Sequence, residues 1–338
     1  MKTIDELEER LSQPTEQLVR DLEKIKGDIL ILGVGGKMGP SLAKLAQRAS
    51  QAAGMKRSVI GVSRFSDQAL KEDLESHGIQ TISADLMIEE ELNALPDVPN
   101  VIYMVGKKFG TGGNEHLTWA MNSYLPGRVA EKFRNSKIIV FSSGNIYPFV
   151  PVFSGGATES TSPGPLGEYA QSCLGRERIF EHFSHKYDIP MLIYRLNYAV
   201  DMRYGNLLEI ATAVYEEQPI DLRLGHMNVI WQGDANEIAL RSLLHCSSPP
   251  KILNVTGPET ISIRWVAEEF GRRMGKTPVL NNTEESTALL NNATQAHKLF
   301  GYPSVSLIQM IDWTATWVQS GGETHGKPTH FQVRDGKF

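Results

Sequence analysis

The chain has 338 residues, 41% of them hydrophobic and 22% charged, with a formal net charge of −5. This composition builds one large core or two moderate ones and excludes a disordered or fibrous protein, while the negative balance leaves no global positive field to recruit nucleic acid. Two cysteines, Cys173 and Cys246, exclude a disulfide framework, and no apolar run approaches the roughly 20 residues that span a bilayer.

The stretch from Met1 begins acidic and lacks a signal peptide's apolar core, so a cytoplasmic protein with a small-molecule partner is expected. Residues 5–11 form a first predicted helix. Pro14 opens a second, on which Leu18, Leu22 and Ile25 share a face. This arm, residues 1–26, either packs on its own domain, the preferred reading, or binds a partner.

Residues 29–32 are an apolar strand running into Gly33-Val34-Gly35-Gly36-Lys37-Met38-Gly39 and then a helix from Pro40 to about residue 53. Glycines here let the backbone approach a pyrophosphate, and the helix start offers unpaired N–H groups. A tight strand-to-helix turn is the simpler alternative. Strand 58–62 ends at Ser63-Arg64, where an arginine accommodates the 2′-phosphate of NADP or is merely a surface residue. Residues 65–76 are predicted helical and 79–83 form a third strand. Asp85, beside Leu86, either accepts a hydrogen bond from adenine or caps the next helix.

The fourth strand, 100–106, includes Val105 and Gly106 and leads into loop 107–113. There Lys107 and Lys108 hold an anionic substrate, or the loop is simply solvated. A helix from 117 to 134 contains Asn122 and is expected to bend at Pro126 and Gly127. The fifth strand, 137–141, ends in Ser142-Ser143-Gly144-Asn145. A loop over 149–165 leads to a helix carrying Tyr169 and Cys173, then to a sixth strand at 190–195.

Up to the sixth strand, strand and helix alternate regularly, which predicts an α/β, Rossmann-like doubly wound parallel sheet with ligands at the strands' carboxyl ends; beyond it the alternation loosens. The glycine turn, Arg64, Asp85, Lys107-Lys108 and Ser142-Ser143 all fall there. Further on, helices are expected at 206–217, 234–244 (capped by Asp234), 262–274 (capped by Ser262) and 308–319, with strands at 221–224 and 252–255 and a polar tail from 320. The predicted domains are the arm, a dinucleotide-binding unit at 27–200, and a smaller substrate-binding region at 201–338, of which about 228–256 returns to the sheet. No histidine or carboxylate spacing suits a metal.

Taken together, these residues resemble the extended short-chain dehydrogenase/reductases, also called NAD-dependent epimerase/dehydratases. The likeness runs from Ile29 to about Gly275. It rests on Gly33-x-x-Gly36-x-x-Gly39, Ala84-Asp85-Leu86, Asn122, the segment from Phe141 to Tyr147, Tyr169, Arg195-Leu196-Asn197, Gly233-Asp234 and Leu253 to Gly257. The resemblance implies that Ser143 bonds the substrate oxygen, Tyr169 exchanges a proton with it, and Asn122 holds a water relay. It implies a cofactor, NADP ahead of NAD, on Gly33, Gly36, Lys37, Met38, Gly39, Ser63, Arg64, Asp85, Leu86, Val105, Gly106 and Tyr169. Substrate contacts are then expected from Lys107, Lys108, Ser143, Asn145, Asn197 and Arg203, with a homodimer through a helical face as the family's common assembly.

The family's lysine four residues after the tyrosine is absent, and Cys173 stands in its place. The site is then decayed, takes its positive charge from Lys107, Lys108 or Arg176, or runs a different reaction; Cys173 as nucleophile competes with Cys173 as core residue. Residues 225–232 carry no arginine for a sugar-nucleotide diphosphate, which ranks a smaller sugar, sugar acid or carbonyl compound above it. The expected function is NAD(P)-dependent oxidoreduction or epimerisation of a small polar, sugar-like substrate. The alternative is a non-catalytic NAD(P)-binding regulator or redox sensor.

Overall fold

The computed structural model describes residues 1–108 and 113–336. Residues 109–112 of the expected loop lie outside them. Seven parallel strands form the central sheet: β1 Ile29–Leu32, β2 Val59–Ser63, β3 Gln80–Ser83, β4 Asn100–Tyr103, β5 Lys137–Ser143, β6 Met191–Leu196 and β7 Lys251–Val255. Their spatial order is β7-β6-β5-β4-β1-β2-β3. The chain builds outward from β1 to β3, then restarts at β4 on the other side of β1. Ligands in such sheets lie outside the carboxyl ends of the strands at that reversal.

Helices α1 Ile4–Ser12 and α2 Glu16–Lys24 precede the sheet, and α3 Gly39–Ala52, α4 Gln68–Ser76 and α5 Glu89–Asn93 follow β1, β2 and β3. Next come α6 Glu115–Trp119, α7 Leu125–Lys132 and α8 Gly167–Tyr187. The C-terminal part supplies α9 Asn206–Tyr215, α10 Gln232–Arg241, α11 Ile263–Met274, α12 Thr294–Phe300 and α13 Leu307–Gln319. β1 is buried on both faces, as the apolar run Ile29-Leu30-Ile31-Leu32 requires. Ile29 and Ile31 pack with Leu42 and Ala46 of α3; Leu30 and Leu32 pack with Val129 of α7 and Phe180 of α8. A third core gathers α9, α11 and α13.

The N-terminal arm packs on its own chain and joins two of these cores. Leu7 and Leu11 of α1 enter the C-terminal core, whereas Leu18 and Leu22 of α2 enter the sheet core. The Arg57 guanidinium donates to the carbonyls of Leu22 and Ile25 at the end of α2, and Arg241 pairs with Asp21 at 2.9 Å.

Several expected details differ. Pro14 lies before Thr15, whose side chain caps α2. The helix expected from 65 begins at Gln68, because Phe65 has positive φ and Asp67 supplies the cap. Asp85 accepts the Met87 N–H at 3.0 Å, a local turn two residues long, and does not cap α5. Asp234 sits inside α10, where it accepts from Ser304 Oγ and the Val305 N–H. The short strand expected at 221–224 is displaced to Pro219–Asp221.

The helix expected from 117 to 134 is broken before its proline. A π-helical turn, Ala120–Tyr124, separates α6 from α7, and the Leu125 N–H reaches back five residues to the Ala120 carbonyl. Pro126 has no N–H to give the Asn122 carbonyl, which instead accepts from Arg176 Nε at 3.4 Å. Among the described residues, no helix is long and apolar enough to cross a membrane.

Candidate dinucleotide and substrate cleft

The glycine turn follows β1 at the reversal of strand order. Gly33 has φ +86°, and a Cβ there would lie 3.0 Å from the Val105 nitrogen; a Cβ on Gly39 would lie 2.1 Å from the Val34 carbonyl oxygen. These two glycines permit the bend and the close seating of α3 on the strand. Gly35 and Gly36 are exposed. The first turn of α3 has no side-chain cap, and Pro40 occupies its start. Gly36 and Gly39 give their own N–H groups to the Gly33 and Gly36 carbonyls, so what the turn offers a dinucleotide's pyrophosphate is close backbone approach and the positive end of α3.

A cavity of ≈890 Å³ runs from this turn past the ends of β4, β5 and β6. Of the residues expected from sequence, it brings together Gly33, Gly36, Lys37, Met38, Gly106, Lys108, Ser143, Asn145, Tyr169, Asn197 and Arg203. Gly39, Ser63, Arg64, Asp85, Leu86, Val105, Lys107, Asn122 and Cys173 stand outside its lining. Arg64 is exposed at the end of β2, and Leu86 is buried in the sheet core.

Ser143 ends β5 and accepts the Asn145 N–H at 3.1 Å. Tyr169 of α8 faces the Ser143 hydroxyl, and Cys173 lies one turn further along the same helix. Burial raises the Tyr169 hydroxyl well above the usual phenol range; Cys173 adds to the rise, and the Arg176 guanidinium and Ser143 oppose it. Burial likewise raises the Cys173 thiol, so the group standing where a lysine was expected is neutral.

Asn122 works as a clamp. Its amide nitrogen donates to the Lys107 carbonyl and to Ser172 Oγ, and its oxygen accepts the Lys107 N–H and Arg176 Nη2. Protein groups thus take all four hydrogen-bonding positions. Arg176 also donates to the Phe141 carbonyl at 2.8 Å, and a Cβ on Gly106 would lie 2.6 Å from its Nη2. The glycine leaves room for this buried cation, which lines the cavity.

Arg203 is already held by Glu8 at 2.6 Å and Asp201 at 2.9 Å. Lys37 lies over the Tyr204 ring, 3.0 Å from its centroid, and Lys108 donates to the Thr329 carbonyl at 3.3 Å. Burial, reinforced by the charges of Lys108 and Lys327, lowers Lys37 to about 7; burial lowers Lys108 to about 8.

The tail supplies groups that sequence reasoning missed. His325, Lys327 and Thr329 line the cavity. Thr329 gives its N–H and hydroxyl to Glu209, Phe331 is buried, and Gly336 packs against Gly167 at the start of the Tyr169 helix. The one available signal was Phe331, a large apolar residue in a polar stretch.

Residues 29–201 match the model of the NAD dependent epimerase/dehydratase family. No curated protein matches the chain. UDP-glucuronic acid 4-epimerase from Bacillus cereus in complex with NAD has a TM-score of 0.71 at 18% identity, covering 86% of this chain and 98% of that one. For the Thermus thermophilus UDP-glucose 4-epimerase complex with NAD the values are 0.68 and 18%, over 85% and 97%. Pal from Bacillus thuringiensis gives 0.70 and 17%, over 87% and 99%. At such identities the likeness is one of fold.

Proposed function

Because the chain belongs to the NAD-dependent epimerase/dehydratase family, we propose that it is an NAD(P)-dependent oxidoreductase or epimerase acting on a small polar, sugar-like substrate through an atypical active site. The observation that carries this is the meeting of Ser143 and Tyr169 in the cavity that the glycine turn lines. Gly33, Gly36, Lys37, Met38 and Gly39 would hold the pyrophosphate. Ser63, Arg64, Asp85, Leu86, Val105 and Gly106 would flank the adenosine and ribose, and Arg64 alone argues for NADP ahead of NAD. When bound, the cofactor supplies hydride exchange at its nicotinamide ring.

Tyr169 enters protonated, since burial keeps its hydroxyl above the usual range. In the reducing direction it gives that proton to the substrate oxygen, which Ser143 steadies through its hydroxyl. The phenolate left behind faces the charge of Arg176, seven residues along the same helix, where the family places a lysine after four. Asn122 holds Arg176 in place.

The test combines affinity for NADH and NADPH, reduced-cofactor absorbance over a panel of carbonyl compounds and sugars, and product analysis for epimerisation. Tyr169→Phe should lower turnover ~10²- to 10⁴-fold; undiminished turnover overturns the assignment. The neutral Cys173 favours a second reading, a non-catalytic nucleotide-binding regulator. Tight cofactor binding with no turnover on the whole panel would select it. For the proposed homodimer, the face of α6 and the π turn, with Leu117, Trp119 and Tyr124 exposed, is the candidate surface.

A further inference from the structure

The glycine turn brings little charge of its own to the group it is shaped to receive. Gly36 and Gly39 spend their N–H groups within the turn, and Lys37 and the positive end of α3 are the charges that the turn itself contributes. Each phosphate of a dinucleotide's pyrophosphate is negative, and lysine or arginine is the usual partner of such a group.

The C-terminal tail comes to the same end of the cavity. His325 and Lys327 line it together with Gly33, Gly36 and Lys37. The charge of Lys108 acts on both Lys37 and Cys173, and that of Lys327 acts on Lys37 and His325. This orders them along the cleft, with Lys108 toward Tyr169 and Lys327 toward the glycine turn. The tail's backbone is pinned on both sides of Lys327. Before it, the His325 N–H donates to the Arg203 carbonyl at 3.0 Å. After it, Thr329 gives its N–H and hydroxyl to Glu209, accepts from Lys108 at its carbonyl, and leads to Phe331 in the C-terminal core. The Lys327 side chain is itself exposed and, among the described residues, makes no hydrogen bond or ion pair. Its neighbours hold the tail in place, and the lysine is carried on it to the phosphate-binding turn.

We propose that Lys327 is a cofactor-binding residue: the C-terminal tail carries it to the glycine turn, where it joins Lys37 in binding the dinucleotide's pyrophosphate. This rests on the NAD(P) reading of the cleft and adds to it a segment that the family's motifs, which end at Gly257, do not reach. The cofactor is then held by two segments from opposite ends of the chain, and the tail lengthens its stay.

Stopped-flow fluorescence follows association and release of whichever of NADH and NADPH the full chain binds more tightly. Lys327→Gln should speed release about threefold or more while association stays within about twofold, because a side chain that touches the ligand acts on release and a remote charge acts on approach. Lys26→Gln, which removes an exposed lysine before β1 at the other end of the sheet, should change neither rate by more than about twofold. Circular dichroism checks that both variants fold, which their exposed positions favour. A smaller change in release for Lys327→Gln, a loss confined to association, or an equal effect of Lys26→Gln overturns the proposal. Binding of neither cofactor by the wild type would defeat the NAD(P) reading and this proposal with it, whereas cofactor binding that Lys327→Gln leaves unchanged defeats this proposal alone.

Discussion

Arg195 and Glu177 on the one hand, and Lys37, Lys108 and Lys327 on the other, show two ways of handling charge inside one fold. Arg195 and Glu177 are 2% and 1% exposed and meet at 2.7 Å. The remaining valences of this pair are filled: Ser142 donates to Glu177, Arg195 donates to the Tyr147 hydroxyl, and Tyr147 donates to Asn254. Lys37, Lys108 and Lys327 bring three cations from separate segments to the lining of one cavity. A buried charge with every partner present is scaffold. A surplus of one sign in a cavity is a place for a ligand.

Breaking the first cluster should have the largest effect. Arg195→Met leaves Glu177 buried and unpaired and should cost ~3–5 kcal/mol of stability, measured by urea unfolding. A loss below ~1 kcal/mol would mean that the pair is not the scaffold described. The second cluster should respond to pH. Lys37 and Lys108, lowered to about 7 and about 8, are charged below those values and neutral above them. Sulfate, whose charge is constant over this range, should therefore bind well below about pH 7 and poorly above about pH 8. The groups that set this window include Lys327, Glu209 and Asp201 as well. A flat profile would place the anion elsewhere. The smallest effect sharpens the contrast: Lys327→Gln should change unfolding free energy by no more than ~0.5 kcal/mol, since an exposed cation in a repulsive group holds nothing together.

The parts of the fold that were legible in sequence are those whose cause is local. The glycine turn declares itself by residue type, the sheet by its alternation, and Ser143 and Tyr169 by their place at a strand end and on the next long helix. Features caused by distant partners were not legible. Asp234 looks like a helix cap because its partners Ser304 and Val305 lie 70 and 71 residues away. Phe65 begins no helix because its backbone turns left-handed before Asp67 can cap. The tail reads as solvated because its composition is polar, and only the seating of Phe331 and Gly336 makes it part of the cleft.

The π-helical turn at Ala120–Tyr124 has one further consequence. A π turn holds one residue more than the α-helical path would, so it acts as a phase shifter of ~100° between α6 and α7. It lets the exposed face of Leu117 and Trp119 and the inward-facing amide of Asn122 be set independently, although they belong to one rod. Removing one residue from the turn would bring the two helices back into step, so that the outer face and the clamp on Arg176 could not both keep their present directions.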